Sequence, residues 1–206
     1  MSIVLNSAGG GSVTINEPNT ASNRTLTLPD NTGNLISTAD SGTVTPAMLS
    51  QKLTQMTAAT ASGSSVDFTS IPSWVKRITV ILDGVSFAAA GFARFRVGTS
   101  AGLVSTGYTT QTYAITTTPT INSSSVTDGL GFFSTGAAAG TCTGRMSIEN
   151  ITGNTWVSSS MISRPADSYL LFSTGSIALG GTLDRVSVVA TTSTFDAGTI
   201  NVMYEG

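Results

Sequence analysis

Histidine is absent from all 206 residues, and cysteine occurs once, at Cys142. A Ser-His-Asp triad, a His-ligated metal and a histidine acid/base are therefore excluded. A single thiol closes no intrachain disulfide and builds no thiolate cluster, so neither a metal centre nor a cofactor is expected. Charge is scarce too: 10% of residues are Asp, Glu, Lys or Arg, against roughly 25% in an ordinary soluble domain. Two lysines and seven arginines lie scattered. Without a basic cluster there is no footprint for a nucleic-acid backbone. No apolar run approaches the ~18 residues that a membrane-spanning helix needs. Met1-Ser2-Ile3-Val4 lacks the basic and apolar regions of a secretory leader, so neither membrane insertion nor a signal peptide is expected.

What remains is rich in small hydroxyl side chains. Ser and Thr together make roughly 30% of the chain, and Gly contributes 22 residues. Hydrophobic types still reach 40%, enough to build a core. An excess of Thr, Val, Ile and Ser over Leu, Lys and Glu favours strands. The composition is all-β.

Three segments follow along the chain. Residues 1–38 hold short strand candidates, Ile3-Val4-Leu5, Val13-Thr14-Ile15 and Thr25-Leu26-Thr27-Leu28, with turn chemistry at Gly9-Gly10-Gly11 and Pro29-Asp30-Asn31-Thr32-Gly33. Such pieces bury no core of their own, so an extended arm that docks or pairs between chains is expected. Residues 39–58 predict a short helix, with Thr45 as N-cap and Pro46 in the first turn. Leu49, Leu53 and Met56 would form one narrow apolar stripe on it. That stripe has two readings, packing on its own domain or meeting symmetry mates in a bundle. Residues 59–206 alternate repeatedly in polarity. Ile78, Val80 and Leu82 share one face until Gly84 breaks the run, and Phe95 and Val97 oppose Arg94 and Arg96. About nine short strands separated by Gly/Ser/Asn/Asp clusters predict an antiparallel β-sandwich, jelly-roll-like in outline.

Chemistry-bearing constellations are few. Asp83, Asp128, Asp167, Asp184, Asp196 and Glu205 show no pairing in sequence that would mark a glycosidase. Lys52 and Lys76 are the two lysines on which a Ser-Lys dyad could draw, and a solvated face explains both. No D-x-D-x-D-G calcium loop or phosphate loop is present. An enzyme is not expected. Trp74 fits the end of a sandwich, and Cys142 a small buried hydrophobe. Tyr108 and Tyr113 flank Thr109-Thr110-Gln111-Thr112, where rigid rings stand beside adaptable polar groups. Packing in the domain and contact with a ligand both fit them, and Gln111 joins them as a glycan-binding candidate. Five residues apart on one strand, the two rings face opposite sides unless a bulge intervenes.

The stretch from Asn23 to Leu35, NRTLTLPDNTGNL, resembles a motif of bacteriophage tail-fibre shafts and attachment regions. Val66 to Val80, VDFTSIPSWVKRITV, is similar to the opening of a globular domain in a tail-fibre family. Leu183–Val188 and Phe195–Glu205 are similar to that family's closing strands. The resemblance leaves residues 100–150 unmatched and carries over no site residue. It implies a homotrimeric virion fibre, assembled in the host cytoplasm, whose arm meets other tail or baseplate proteins. Its distal β domain would contact a host-surface glycan or protein. A non-adhesive decoration, neck or capsid fibre is the alternative, and a polysaccharide-modifying spike a third.

Overall fold

The computed structural model describes residues 2–6, 8–16, 21, 53–117 and 121–206. The chain divides into two compact units, Met1–Val44 and Thr45–Gly206. In the first, β1 (Ser2–Asn6) and β2 (Ser12–Asn16) form an antiparallel hairpin with Ser2 opposite Asn16. Val4 and Leu5 stand exposed on it. The strand candidate at 25–28 and the first part of the expected helix, with Leu49, lie outside the described residues.

The second unit is built from antiparallel strands. They are β3 (Thr54–Gln55), β4 (Ala59–Thr60), β5 (Ser65–Phe68), β6 (Arg77–Phe87), β7 (Gly91–Thr99), β8 (Gly102–Leu103) and β9 (Thr109–Ile115). Then follow β10 (Ile121–Val126), β11 (Phe132–Thr135), β12 (Cys142–Thr152), β13 (Thr155–Arg164), β14 (Tyr169–Ala178), β15 (Arg185–Thr192) and β16 (Phe195–Glu205). A nine-stranded sheet runs β10-β9-β14-β13-β12-β6-β16-β3, with β4 also on β16. A five-stranded sheet runs β11-β7-β15-β5, with β8 on β7.

The two sheets meet across one apolar core, a sandwich-like arrangement. Alternation decides which side chains enter it. Ile78, Val80 and Leu82 are buried while Arg77 and Asp83 are exposed, as period-two patterning demands. Phe95 and Val97 point inward between the half-buried Arg94 and Arg96. Phe87 and Phe195 from the large sheet stack at 5.0 Å, and Phe133 from the small sheet reaches Phe87 at 5.8 Å. Each such ring, fully removed from water, contributes about 2–3 kcal/mol. Cys142 opens β12 wholly buried.

Two expectations need correction. The helix does not extend over Leu53–Met56. Thr54 and Gln55 instead pair with Tyr204 and Met203 of β16, and the Met56 N–H donates to the Val202 carbonyl. Propensity gives way because edge pairing satisfies the backbone while Met56 packs against the core of its own domain. Leu53 is 58% exposed. Nor does Gly84 end its strand. With φ of 61° it forms a bulge, and β6 continues to Phe87. Gly198 on β16 lies opposite in the left-handed region, φ 97°, where a Cβ would come within 2.5 Å of the Gly84 carbonyl and the Val85 backbone. A second register shift, between Phe195 and Ala197 of β16, offsets the bulge, so Phe195 again meets Phe87.

Candidate functional face

The side of the large sheet turned away from the core carries the described features best suited to a ligand. On β9, Thr110 and Thr112 point inward and are buried, so Thr109, Gln111 and Tyr113 point outward. The buried hydroxyls under this corner have partners. Thr110 Oγ1 donates to the Gly129 carbonyl at 2.8 Å, Ser158 Oγ to the Leu130 carbonyl at 3.0 Å, and Thr112 and Ser173 share a bond of 2.8 Å. Gly175 is required here, because a Cβ would lie 2.3 Å from Thr110 Oγ1. Gly175 faces inward opposite Thr110, and the neighbouring outward side chains surround a surface depression of about 500 Å³.

Thr109, Gln111, Ser125, Thr174 and Ser176 line that depression with Val157, and no charged side chain borders it among the described residues. Ser125 Oγ donates to Gln111 Oε1 at 2.8 Å. That bond orients the amide and leaves its NH₂ group to donate outward. Hydroxyls and a single amide offer directional bonds at small desolvation cost. They suit a neutral polyol better than an anion or a cation.

Of the three residues expected to contact a glycan, the structure brings Gln111 and Tyr113 together on this face. Tyr113 is 45% exposed. Tyr108 is corrected: it is 2% exposed and its ring offers no free face. The residue precedes β9, and its hydroxyl accepts from the Val97 N–H at 3.1 Å and reaches the Val104 carbonyl at 2.8 Å. Tyr108 thus ties the loop before β9 back to β7. Burial, partly offset by the bond to Val97, pushes its pKa up to about 12.

A second, wider depression of about 1190 Å³ lies on the same face over β16, β6, β12 and β13. Thr79, Ile81, Ser147, Met161, Phe172 and Met203 are among its walls. Leu53 stands at its edge, which places this candidate oligomerisation residue on the sheet surface and apart from the buried side of Met56. Sequence reading missed Thr79, Ser147, Ser159 and Thr174. Each looks like an ordinary Ser or Thr until strand pairing sets it beside the others.

The described carboxylates are mostly engaged. Asp128 receives Arg94 Nε at 2.7 Å and Arg96 Nη2 at 3.1 Å. Burial alone would raise its pKa, but the bonds and charges of Arg94 and then Arg96 outweigh it, so the carboxyl sits below its usual value. Asp184 pairs with Arg185, Glu205 with Arg77, and Asp196 accepts from Ser86. Among the described residues no group of three or more Cys, Asp or Glu side chains is placed to hold a metal ion. Trp156 and Lys76 border a small third cavity of about 190 Å³. Trp74 packs edge-on against Tyr204 at 5.8 Å. No helix among the described residues is long and apolar enough to cross a membrane. No family model, curated protein or solved structure matches the chain.

Proposed function

We propose that the chain is a trimeric tail-fibre subunit of a bacteriophage, structural and adhesive, whose β domain binds a host-surface glycan. The observation that carries the adhesive part is the uncharged, hydroxyl-lined depression around Gln111. The partner is the chain itself, with other virion tail proteins, and the setting is the virion.

The strand order supports the reading. With β3, β8 and the hairpins β9–β10 and β13–β14 set aside, one sheet reads β4-β16-β6-β12 and the other β5-β15-β7-β11. That alternation between sheets is the order of a jelly roll, an architecture that virion and lectin domains share. Architecture alone assigns no function, so the site has to carry the argument. Engaged carboxylates favour binding over hydrolysis, since a glycosidase needs a carboxylic acid set across the scissile bond from a carboxylate base or nucleophile.

Adsorption competition tests the proposal. Saturating purified chain should slow adsorption of the encoding phage to its host. Gln111→Ala, or Thr174→Trp to fill the depression, should relieve that block at unchanged melting temperature. If wild-type chain leaves adsorption unchanged, the adhesive assignment fails and the non-adhesive fibre takes its place.

A further inference from the structure

Six outward side chains fall into one line across six neighbouring strands of the large sheet. Register places Thr79 opposite Ser147, Ser147 opposite Ser159, and Ser159 opposite Thr174. It then places Thr174 opposite Gln111, and Gln111 opposite Ser125. Every member bears a hydroxyl or an amide. Neighbouring strands lie ~4.8 Å apart, so the line extends for roughly 24 Å. The two depressions divide it without remainder: Thr79, Ser147 and Ser159 lie in the wider one, and Thr174, Gln111 and Ser125 in the narrower.

The line on one side of it is different in kind. Ile81, Arg145, Met161, Phe172 and Tyr113 are likewise paired in sequence across the sheet. Tyr113 and Met161 are 45% and 49% exposed, and Phe172 lies between them. On the other side, Arg77 is occupied by Glu205, while Ser147 donates to Glu149 at 2.7 Å. A polar floor thus runs beside a mostly apolar, partly aromatic wall that Arg145 interrupts. A pyranose has the same two-sidedness, with hydroxyls around its edge and C–H groups on its faces. In an extended polysaccharide, successive sugars advance by about one strand spacing, so a chain laid across the strands meets one hydroxyl or amide per sugar. The core of a protein interface is a dry apolar patch, which an unbroken polar line through the centre of the face opposes.

We propose that this face is a track for a linear, neutral polysaccharide lying across the strands, with about one sugar over each of six strands. The proposal rests on the glycan-binding reading above and extends it from one depression to the whole face. Each contact is weak, and affinity accumulates along the chain.

The experiment is calorimetric titration of the intact chain with neutral linear gluco-, manno- and galacto-oligosaccharides of two to eight sugars. In the series that binds, Kd should fall at least about tenfold between two and six sugars and then level off. The double variant Thr79→Ala with Ser147→Ala should weaken the hexasaccharide and spare the disaccharide, whereas Gln111→Ala should weaken both. Affinity independent of length, with the Thr79/Ser147 variant silent and Gln111→Ala still harmful, overturns the track and leaves the single depression standing. Absence of binding in every series, together with no block of adsorption by wild-type chain, overturns both. A fall in oligomer mass of the Thr79/Ser147 variant would mean that a second copy covers this face, and that too overturns the track.

Discussion

Replacing Tyr108 by Phe removes one oxygen from the interior and keeps the ring, so its effect isolates the hydroxyl. That hydroxyl accepts from the Val97 N–H and lies 2.8 Å from the Val104 carbonyl. The Val97 carbonyl, 3.2 Å away, keeps a bond from the Val104 N–H at 3.0 Å and loses little. Two buried backbone groups therefore lose a partner, at about 1–1.5 kcal/mol each, for a total of about 2–3 kcal/mol. For a domain of this size, the melting temperature should drop by about 4–12 °C. A second signature appears in alkali. Tyr108 holds its proton to about pH 12 in the folded state, above the ordinary value of 10.0. Its stabilising contribution is complete below pH ~10, falls as the unfolded chain ionises, and is exhausted above the folded value. The two-unit difference corresponds to roughly 3 kcal/mol. Urea titrations of wild type and Tyr108→Phe at about pH 7 and about pH 11 measure both effects. The gap between the proteins should narrow at the higher pH, because the two chains differ only at this hydroxyl. A variant as stable as wild type at neutral pH, or a gap that widens in alkali, would refute the reasoning.

Gly198→Ala should cost on the order of 3 kcal/mol in thermal or urea unfolding, because the new methyl meets backbone atoms that cannot yield and the residue keeps a positive φ. Met56→Asp should destabilise the domain by about 2–4 kcal/mol, while Leu53→Asp changes its melting by less than about 1 kcal/mol; equal effects would restore the helical stripe. Asp128→Asn should flatten the acid limb of the stability curve. The carboxyl's lowered pKa contributes stability above the unfolded value near ~3.9 that is lost as pH falls through the folded value. Because Asp128 is 37% exposed, solvent screening keeps that loss below about 1 kcal/mol at neutral pH.

Strand patterning was legible wherever one face is apolar and the other polar, as from Arg77 to Asp83 and from Phe92 to Val97. It failed where neighbours in space decide. The segment before Met56 has helix propensity, yet β16 offers it backbone partners from a segment 148 to 150 residues later, as Tyr204 meets Thr54 and Met203 meets Gln55. Ile121–Val126 has five exposed residues in six and carries no alternation, so β10 is visible only as the partner of β9. Tyr108 and Tyr113 look alike in sequence; a hydroxyl partner on β7 separates the buried one from the exposed one. The polar line across the large sheet is the extreme case. Its six members come from six strands, and their alignment depends on the register of five pairings that local sequence does not encode.

The position of β16 between β6 and β3 constrains how the domain is made. Arg77 on β6 meets Glu205, 128 residues further along, so β6 has one flank open until that last strand is synthesised. At ~5–20 residues per second, the wait on a ribosome lasts roughly 6–25 s. During it, the hairpins β12–β13 and β13–β14 can form from local contacts, while the inner face of β6 stays uncovered on the β16 side. A nascent chain in that state presents Ile78, Val80 and Leu82 on an unpaired edge. Low charge elsewhere in the chain gives little repulsion to keep such edges apart. Yield on overexpression should therefore rise with chaperone capacity that shields β6 until β16 arrives.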